Sequence, residues 1–253
     1  MQDILKTLAD AAVAGGAIAL PFFKTGAKTS AAVNYKHEGS PVTEADIAVD
    51  RYLEQTLRAA FPDYGWLSEE SVDDPARLTK SRVIIVDPID GTRGFVAGDD
   101  TWCVSIGLVE DGRPIAGVLF APARQELYTA AKGHGAWLNG KQLPIVQISP
   151  APHRIAGSIA VAKAVFGEAH AFEAYRKVPS LAYRLILTAT ATIDIATATK
   201  SCHDWDIAAA EIILSESGIS MAASTGEGLC YNRATPVHPS LLACAAALWP
   251  SAR

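Results

Sequence analysis

The sequence predicts an α/β protein in which sheets are covered by helices. In the first half of the chain, two segments with helical spacing of apolar residues precede several strand-like segments separated by turn signals. In the second half, strand-like and helix-like segments alternate, which is the pattern of sheets packed against helices. The 253 residues are 49% hydrophobic, enough to bury the core of one large domain or of two closely fused lobes.

Two helices are predicted before the first long strand. In the N-terminal one, apolar residues recur at helical spacing: Ile4, Leu8, Ala11, Ala14 and Ile18. No basic segment precedes the apolar stretch 11–23, so we interpret it as part of an amphipathic helix and not as a targeting segment. No apolar run is expected to reach the length needed to span a bilayer. The second helix is predicted at 43–62, with Ile47, Leu53 and Leu57 on its apolar face.

Strands are predicted from residue 64 onwards. A short strand at 64–71 runs into an acidic loop, and 81–87 is a β-branched run typical of a strand buried on both faces. Asp111-Gly112 is a strong hairpin signal. The further strand-like segments of the predicted antiparallel meander are 101–109, 114–121 and 126–131.

The second half is expected to alternate strands and helices. The predicted elements are a strand at 155–162, helices at 167–177 and 180–190, a strand at 192–197, and helices at 206–218 and 241–249. If the chain forms two lobes, they join near 140–155, where Pro144, Pro150 and Pro152 lie close together.

Charge and cysteine content exclude several classes of partner. The net charge is −5 and no Lys/Arg-rich run occurs, which argues against a nucleic-acid groove or an anionic membrane surface. An anionic substrate would therefore need metal cations or a local positive site. The four scattered cysteines include no C-x-x-C pair and do not form a disulfide framework, so a reducing, cytoplasmic setting fits best.

Two aspartates follow the most apolar predicted strand. The strand should deliver Asp87 to its C-terminal edge, where open α/β sheets place ligands. Pro88 should force a turn that brings Asp90 beside Asp87, with the carbonyl of Ile89 exposed between them. Mg²⁺ prefers such oxygen ligands. Gly91 lets the backbone approach a ligand, and a helix starting there would favour phosphate. The same Asp-Pro-x-Asp-Gly pattern is also a good surface turn.

Other acidic residues have equally local explanations. Glu69 and Glu70 could be an ordinary acidic loop. Thr43-x-x-Asp46 resembles a capping box, which would explain Asp46 by helix initiation alone. Asp206 precedes a helical run and would be a good N-cap.

Taken together and in order, these motifs resemble the inositol monophosphatase superfamily. The matching segments are SPVTEADIAVD (40–50), WLSEES (66–71), VDPIDGTRGF (86–95), GHGAWLNG (133–140) and HDWDIAAAEIIL (203–214). The resemblance implies a layered α/β/α/β/α sandwich and Mg²⁺-dependent hydrolysis of small phosphate monoesters, often inhibited by Li⁺. It implies a single domain, 1–253, with a metal-binding α+β lobe at 1–145 and an α/β lobe at 146–253.

The resemblance also assigns metal ligands. Glu69, Asp87 and the Ile89 carbonyl would bind one Mg²⁺ ion, and Asp87, Asp90 and Asp206 a second, with Asp87 bridging. Sites of this type hold two or three Mg²⁺ ions.

Further residues are assigned to phosphate and water. Gly91 and Thr92 would bind the phosphate through a backbone N–H and a hydroxyl, beside Asp206. Asp46 would pair with Thr92 and orient or deprotonate the attacking water. Glu69, as a metal ligand next to that water, completes the catalytic set, and Glu70 is the less suitable of the two glutamates.

The substrate prediction depends on departures from the inositol-specific pattern. Arg93-Gly94 follows the D-G-T, as in 3'(2'),5'-bisphosphate nucleotidases or histidinol-phosphate phosphatases, and Thr199 stands where inositol enzymes carry a glutamate. Arg184 and Lys200 could supply charge for a second phosphate, or could be solvated surface. We favour hydrolysis of 3'-phosphoadenosine 5'-phosphate (PAP) to AMP, with inositol 1-phosphate and then histidinol phosphate as alternatives.

The remaining expectations concern partners. The predicted partner is a small phosphorylated metabolite, not a nucleic-acid polymer, and no membrane insertion is expected. Members of the superfamily commonly form homodimers, so the resemblance also implies a homodimer. A catalytically silent protein that binds a phosphometabolite is the alternative from another class, although every expected ligand is present in the sequence.

Overall fold

The computed structural model describes residues 1–36 and 39–249. In these residues the chain forms six α-helices: α1 (Gln2–Ala19), α2 (Glu44–Ala60), α3 (Thr92–Ala97), α4 (Ile159–Phe166), α5 (Leu181–Ala189) and α6 (Asp204–Ser215). Short 3₁₀ helices lie at Leu20–Phe22, Pro75–Thr79, Pro122–Arg124 and Ala246–Leu248.

Most strands belong to a large and a small sheet. Two ribbons pair β1 (Val33–Tyr35) with β2 (Pro41–Thr43), and β13 (Cys202–His203) with β15 (Val237–His238). The large sheet contains, in spatial order, β3 (Gly65–Ser68), β4 (Arg82–Asp90), β5 (Cys103–Glu110), β6 (Arg113–Ala121), β7 (Glu126–Ala131), β8 (Ala136–Leu138) and β9 (Lys141–Gln142). The small sheet contains, in spatial order, β11 (Phe172–Ala174), β10 (His153–Ala156), β12 (Ile195–Ala198), β16 (Leu241–Ala245) and β14 (Ile219–Ala223).

Helices and sheets stack in five layers. Helices α1 and α2 pack on one face of the large sheet, in a cluster with Ile84 and Val86 of β4. Helices α5 and α6 pack on the opposite face, in a cluster with Val83 and Ile85. The small sheet covers the other side of α5 and α6, and α4 packs on its outer face. The predicted α/β/α/β/α sandwich is confirmed. Burial on both faces of the strand, predicted for 81–87, holds for residues 83–87, whereas Ser81 is exposed and Arg82 is half-buried.

The first helix is amphipathic, as predicted. Its buried face contains Leu8, Ala11 and Ala12 and packs against α2 and β6. The helical stretch Gln2–Phe22 is nevertheless long and apolar enough to cross a membrane by length and composition, with a mean hydropathy of 1.4. The prediction that no run reaches that length is therefore wrong, although one face of α1 is packed against the protein.

The other helix predicted in the first half and its hairpin at 111–112 are present, with one correction on α2. Its buried face is formed by Val49, Leu53 and Leu57, which lie four residues apart. Ile47 was placed on this face but is 40% exposed, because it is two residues from Val49 and falls on the other side of the helix. Asp111-Gly112 joins β5 to β6, with positive φ at both residues, as a two-residue hairpin requires.

The second half contains three errors of assignment. The strand at 155–162 ends at Ala156, because Gly157 has φ 111° and Ser158 then caps α4. The predicted helix at 167–177 instead contains the edge strand β11. The predicted helix at 241–249 begins as β16, where the alanines lie between two antiparallel neighbours and tertiary burial overrides helix propensity. The division into lobes at residue 145 stays a prediction.

Candidate active site

Six of the predicted site residues line one cleft of about 480 Å³. They are Glu69, Asp87, Asp90, Gly91, Thr92 and Asp206. Asp46 and Ile89 do not line the cleft. They lie behind Thr92, whose hydroxyl is 3.0 Å both from Asp46 Oδ1 and from the Ile89 carbonyl oxygen.

Asp87 and Asp90 are brought together by a bulge and not by the predicted turn. β4 continues through Pro88 to Asp90, and the three steps from Asp87 to Asp90 oppose only two, from Ser105 to Cys103, on β5. Such an inserted residue bends a strand and re-aims its side chains. The two carboxylates are 1% and 4% exposed, so the alternative of an ordinary surface turn is wrong.

Asp90 is held by the beginning of α5. Its Oδ2 accepts hydrogen bonds from the Ser180 hydroxyl and from Ala182 N at 2.8 Å, and its Oδ1 accepts one from Leu181 N at 3.3 Å. The positive end of a helix thus faces this carboxylate. Sequence reasoning placed a helix here but missed this contact. A serine before an apolar helical run signals an N-cap, but not what the helix end will face.

Asp206 is the third residue of α6, not its predicted N-cap. The helix begins at Asp204, and Asp206 Oδ2 accepts a hydrogen bond from the backbone N–H of His203 at 2.6 Å. This is the reverse arm of a capping box. The aspartate therefore contributes to helix initiation and still reaches the cleft.

The carboxylates of Asp87, Asp90 and Asp206 form one cluster, in which a ligand oxygen from each lies within 4.8 Å of the others. Burial raises the pKa of all three, and repulsion between neighbouring carboxylates raises it further. For Asp90, hydrogen bonds from Ser180 and from the start of α5 oppose this rise. The net effect still raises the pKa of Asp90 to about 6. Buried, mutually repelling oxygen donors are the chemistry that suits a hard divalent cation, so the residues present fit a metal site.

Glu69 and Glu70 share a lysine that sequence reasoning missed. Lys36 Nζ lies 2.8 Å from an Oε1 of each glutamate. Burial raises the pKa of Glu70, and repulsion from Glu69 and Asp46 adds to this, so that it reaches about 7 despite Lys36. Burial alone would lower the pKa of Lys36, but the two glutamates raise it above its ordinary value. Of the two glutamates, Glu69 lines the cleft. Lys36 precedes the two glutamates by more than thirty positions, so no local sequence pattern predicts this contact.

Thr92 joins the cleft to the first turn of α2. The predicted capping box is confirmed, because Thr43 Oγ1 accepts from Asp46 N, and Asp46 Oδ2 accepts from Thr43 N at 2.8 Å. Burial raises the pKa of Asp46, opposed by its hydrogen bonds to Thr43 and Thr92. Gly91 precedes α3 with φ 91°, and a Cβ there would lie 2.8 Å from Ser180 Cβ, so the position requires glycine.

A second compartment of about 650 Å³ adjoins the cleft. Asp90, Arg93, Pro179 and Asp206 line both spaces. The second compartment is also lined by Leu181, Arg184, Ala198, Thr199, Lys200, Ser201 and Cys202. Lys200 and Thr199 are exposed, whereas Arg184 is half-buried, so the alternative of solvated surface is wrong for Arg184.

Comparison with known proteins gives three kinds of relative. The chain is 32% identical to the 3'(2'),5'-bisphosphate nucleotidase CysQ of Aggregatibacter actinomycetemcomitans over 230 residues, which covers 84% of this chain and 83% of that protein. It is 30% identical to inositol monophosphatase 2 of Saccharomyces cerevisiae over 207 residues, 74% and 70% of the two chains. It is 32% identical to the histidinol-phosphatase of Mycobacterium tuberculosis over 216 residues, 77% and 78% of the two chains.

A solved structure shows the same fold. The crystal structure of CysQ from Bacteroides thetaiotaomicron, a bacterial member of the inositol monophosphatase family, superimposes with a TM-score of 0.79. The match covers 97% of this chain and 98% of that one at 23% identity. The sequence profile described as "Inositol monophosphatase family" matches residues 1–251. The chain therefore belongs to the inositol monophosphatase family, whose members are metal-dependent phosphoric monoester hydrolases that act on small phosphorylated substrates.

Proposed function

We propose that this cleft performs Mg²⁺-dependent hydrolysis of a 3'(2'),5'-bisphosphate nucleotide, converting PAP to AMP and phosphate. The observation that carries the hydrolytic part is the cluster of buried Asp87 and Asp90 with half-buried Asp206 beside the start of α3. The nucleotide part is supported by the residues around the second compartment.

The metal ligands we propose are the clustered aspartates with Glu69 and the Ile89 carbonyl. When bound, Mg²⁺ supplies the positive charge that makes an acidic cleft attractive to phosphate, acidifies water and stabilises a leaving oxygen. Thr92 has a single hydroxyl proton but lies 3.0 Å from two acceptors. If the Ile89 carbonyl oxygen binds the metal, the Thr92 hydroxyl donates its proton to Asp46.

Thr92 and Asp46 then have complementary tasks. A Thr92 hydroxyl that donates to Asp46 keeps its lone pairs, so it can accept a hydrogen bond from a water in the cleft and orient it. The raised pKa of Asp46 makes it a stronger base than an ordinary aspartate, able to receive a proton through Thr92. Its Oδ2 is held by Thr43, which fixes the direction of the Oδ1 that faces Thr92. Gly91, with Thr92 and Asp206, would position the phosphate.

The nucleotide preference is supported by positively charged residues around the site and by the absence of an acidic residue at position 199. Arg93 lines both the cleft and the second compartment, and Lys177 lines the cleft. Thr199 offers no carboxylate to hold the hydroxyls of an inositol ring. The CysQ relative from Aggregatibacter actinomycetemcomitans is named as a 3'(2'),5'-bisphosphate nucleotidase, which agrees with this choice.

A substrate panel tests the proposal. We expect kcat/KM with Mg²⁺ to be highest for PAP when it is compared with inositol 1-phosphate, histidinol phosphate and fructose 1,6-bisphosphate. Asp87→Asn should abolish turnover, whereas Asp63→Asn, at an exposed position, should not. Preference for inositol 1-phosphate would contradict the nucleotide assignment. Metal-dependent turnover by Asp87→Asn at near-normal rate would contradict the site.

The cellular location, oligomeric state and lobe organisation of the protein are part of the same proposal. We place it in the cytoplasm, without membrane insertion, as a Li⁺-sensitive homodimer with lobes at 1–145 and 146–253. All four cysteines are free thiols, which suits a reducing compartment. Absence of turnover together with tight binding of a phosphometabolite would instead favour the non-catalytic alternative.

A further inference from the structure

The second compartment contains a half-buried cationic group that uses little of its hydrogen-bonding capacity. Arg184 Nε is buried and has no hydrogen-bond partner. Its Nη1 donates one long bond, of 3.3 Å, to the Val178 carbonyl. Within residues 1–36 and 39–249, the Arg184 guanidinium forms no ion pair. Leaving a buried charged donor unpaired is unfavourable.

The same fold satisfies another buried arginine completely. Arg77 is 2% exposed, and all three of its side-chain nitrogens have partners. Nε and Nη2 bind Asp73 at 2.6 and 2.9 Å, Nη1 binds Asn232 Oδ1 at 2.6 Å, and Nη2 also reaches the Arg233 carbonyl. The unused hydrogen-bond donors of Arg184 are therefore specific to its location and are not a general property of buried arginines in this protein.

That location is beside the reacting centre. The Arg184 compartment shares the walls formed by Asp90 and Asp206 with the cleft, so a substrate whose phosphate lies in the cleft can place a second group there. Burial lowers the pKa of Arg184, while Asp90 and Asp206 favour its charged form. An arginine remains protonated under these conditions. Lys200 adds a second cation at the exposed side.

We propose that Arg184 is the specificity-determining residue that binds a second phosphate of the substrate, with Lys200 as an outer, weaker contact. Because Nη1 is bonded to Val178 and Nε is enclosed by protein, Nη2 is the guanidinium donor left to hold a phosphate oxygen through a charge-assisted hydrogen bond. The inference rests on the proposed function, because it assumes that an ester phosphate occupies the cleft. It adds that Arg184 is the residue that distinguishes bisphosphate from monophosphate substrates.

A pair of substrates that differ by one phosphate tests this assignment. PAP and adenosine 3'-monophosphate have the same nucleoside and the same scissile ester, and only PAP carries the 5'-phosphate. We expect Arg184→Gln to lower kcat/KM for PAP by about 10- to 100-fold, the range for a lost hydrogen bond to a charged group. The loss should appear mainly in KM. The values for adenosine 3'-monophosphate should stay within about twofold of the wild type.

Matched variants separate charge, geometry and folding. Arg154→Gln removes the same charge at a position outside both spaces, where the side chain is 43% exposed, and should leave both substrates unaffected. Arg184→Lys keeps the charge but loses the planar guanidinium, so it should restore only part of the PAP affinity. Because the buried charge is poorly paired, Arg184→Met should fold and should have a Tm at or above that of the wild type.

Four outcomes would count against the assignment. Equal losses on the two substrates, or a wild type that does not discriminate between them, would overturn the role of Arg184 and leave the phosphatase proposal intact. A large drop in Tm for Arg184→Met would show that the residue is structural. Absence of turnover by the wild type on every ester would overturn the proposed function, and this inference with it.

Discussion

Asp46 and Asp206 occupy the same place in two different helices. Each is the third residue of its helix, and each accepts a hydrogen bond from the backbone N–H three positions earlier, at 2.8 and 2.6 Å. They differ in what the rest of the carboxylate meets. Asp46 Oδ1 accepts the Thr92 hydroxyl, whereas Asp206 lies against Asp87 and Asp90.

The difference shows that one local motif can serve two kinds of chemistry. For both aspartates, burial is the main cause of a raised pKa. The next largest influence on Asp46 is a hydrogen bond from Thr43, which lowers its pKa, whereas for Asp206 it is repulsion by Asp90, which raises the pKa further. Asp46 is thus a satisfied carboxylate that can act as a base, and Asp206 an unsatisfied one that suits a cation.

Within the comparison of Asp46 and Asp206, the largest expected effect is that of Asp206→Asn. The amide can still accept from His203, so α6 should keep its start, but the cluster loses one charge. We expect kcat/KM to fall by about a thousandfold, as for loss of a principal electrostatic group. Mg²⁺ affinity should fall by titration calorimetry. In metal-free buffer the Tm should rise, because repulsion with Asp90 is relieved. Unchanged Mg²⁺ affinity would remove Asp206 from the metal site.

Asp46→Asn should have a smaller and different effect. The amide oxygen can replace either carboxylate contact, but the group can no longer take a proton. We expect kcat to fall by about a hundredfold, the lower end of what a positioned base contributes. Mg²⁺ affinity should change by less than about twofold, since Asp46 is not a metal ligand in the proposed arrangement. A loss of metal affinity equal to that of Asp206→Asn would show that the two aspartates share one role.

The pH dependence of stability should follow the unsatisfied cluster. In metal-free protein the folded pKa values of Asp87, Asp90 and Asp206 lie above the ordinary value. The folded chain therefore binds more protons than the unfolded chain, and the free energy of unfolding should increase as the pH falls from about 7.5 to about 5. Denaturant titrations should show this trend, weaker in Asp206→Asn. Saturating Mg²⁺ should suppress it, and a trend unaffected by Mg²⁺ would place its origin elsewhere.

Local signals in the sequence predicted much of this site. Capping patterns, a β-branched strand and the D-P-I-D-G-T motif predicted where Asp46, Asp87 and Asp90 lie. The contacts of Lys36 with Glu69 and of Ser180 with Asp90 could not be predicted, because they join segments distant in the chain. The same limit applies to the fold. The alanine-rich 241–249 segment has helix propensity, but its first five residues lie between two strands and form β16.

The smallest expected effect tests the capping half of the comparison. Thr43 caps α2 through its side chain, which accepts from Ala45 N and Asp46 N at 3.2 and 3.3 Å. Thr43→Ala should lower the free energy of unfolding by about 1 kcal/mol, a typical value for a lost cap, and Tm by about 2–4 °C. Thr43→Ser keeps the hydroxyl and should recover most of this loss. Because the Thr43 backbone N–H still holds Asp46, kcat for Thr43→Ala should stay within about threefold of the wild type, the change expected when the base is held less firmly but not removed. A loss as large as that of Asp46→Asn would mean that the hydroxyl of the cap, and not the backbone, aligns Asp46 with Thr92.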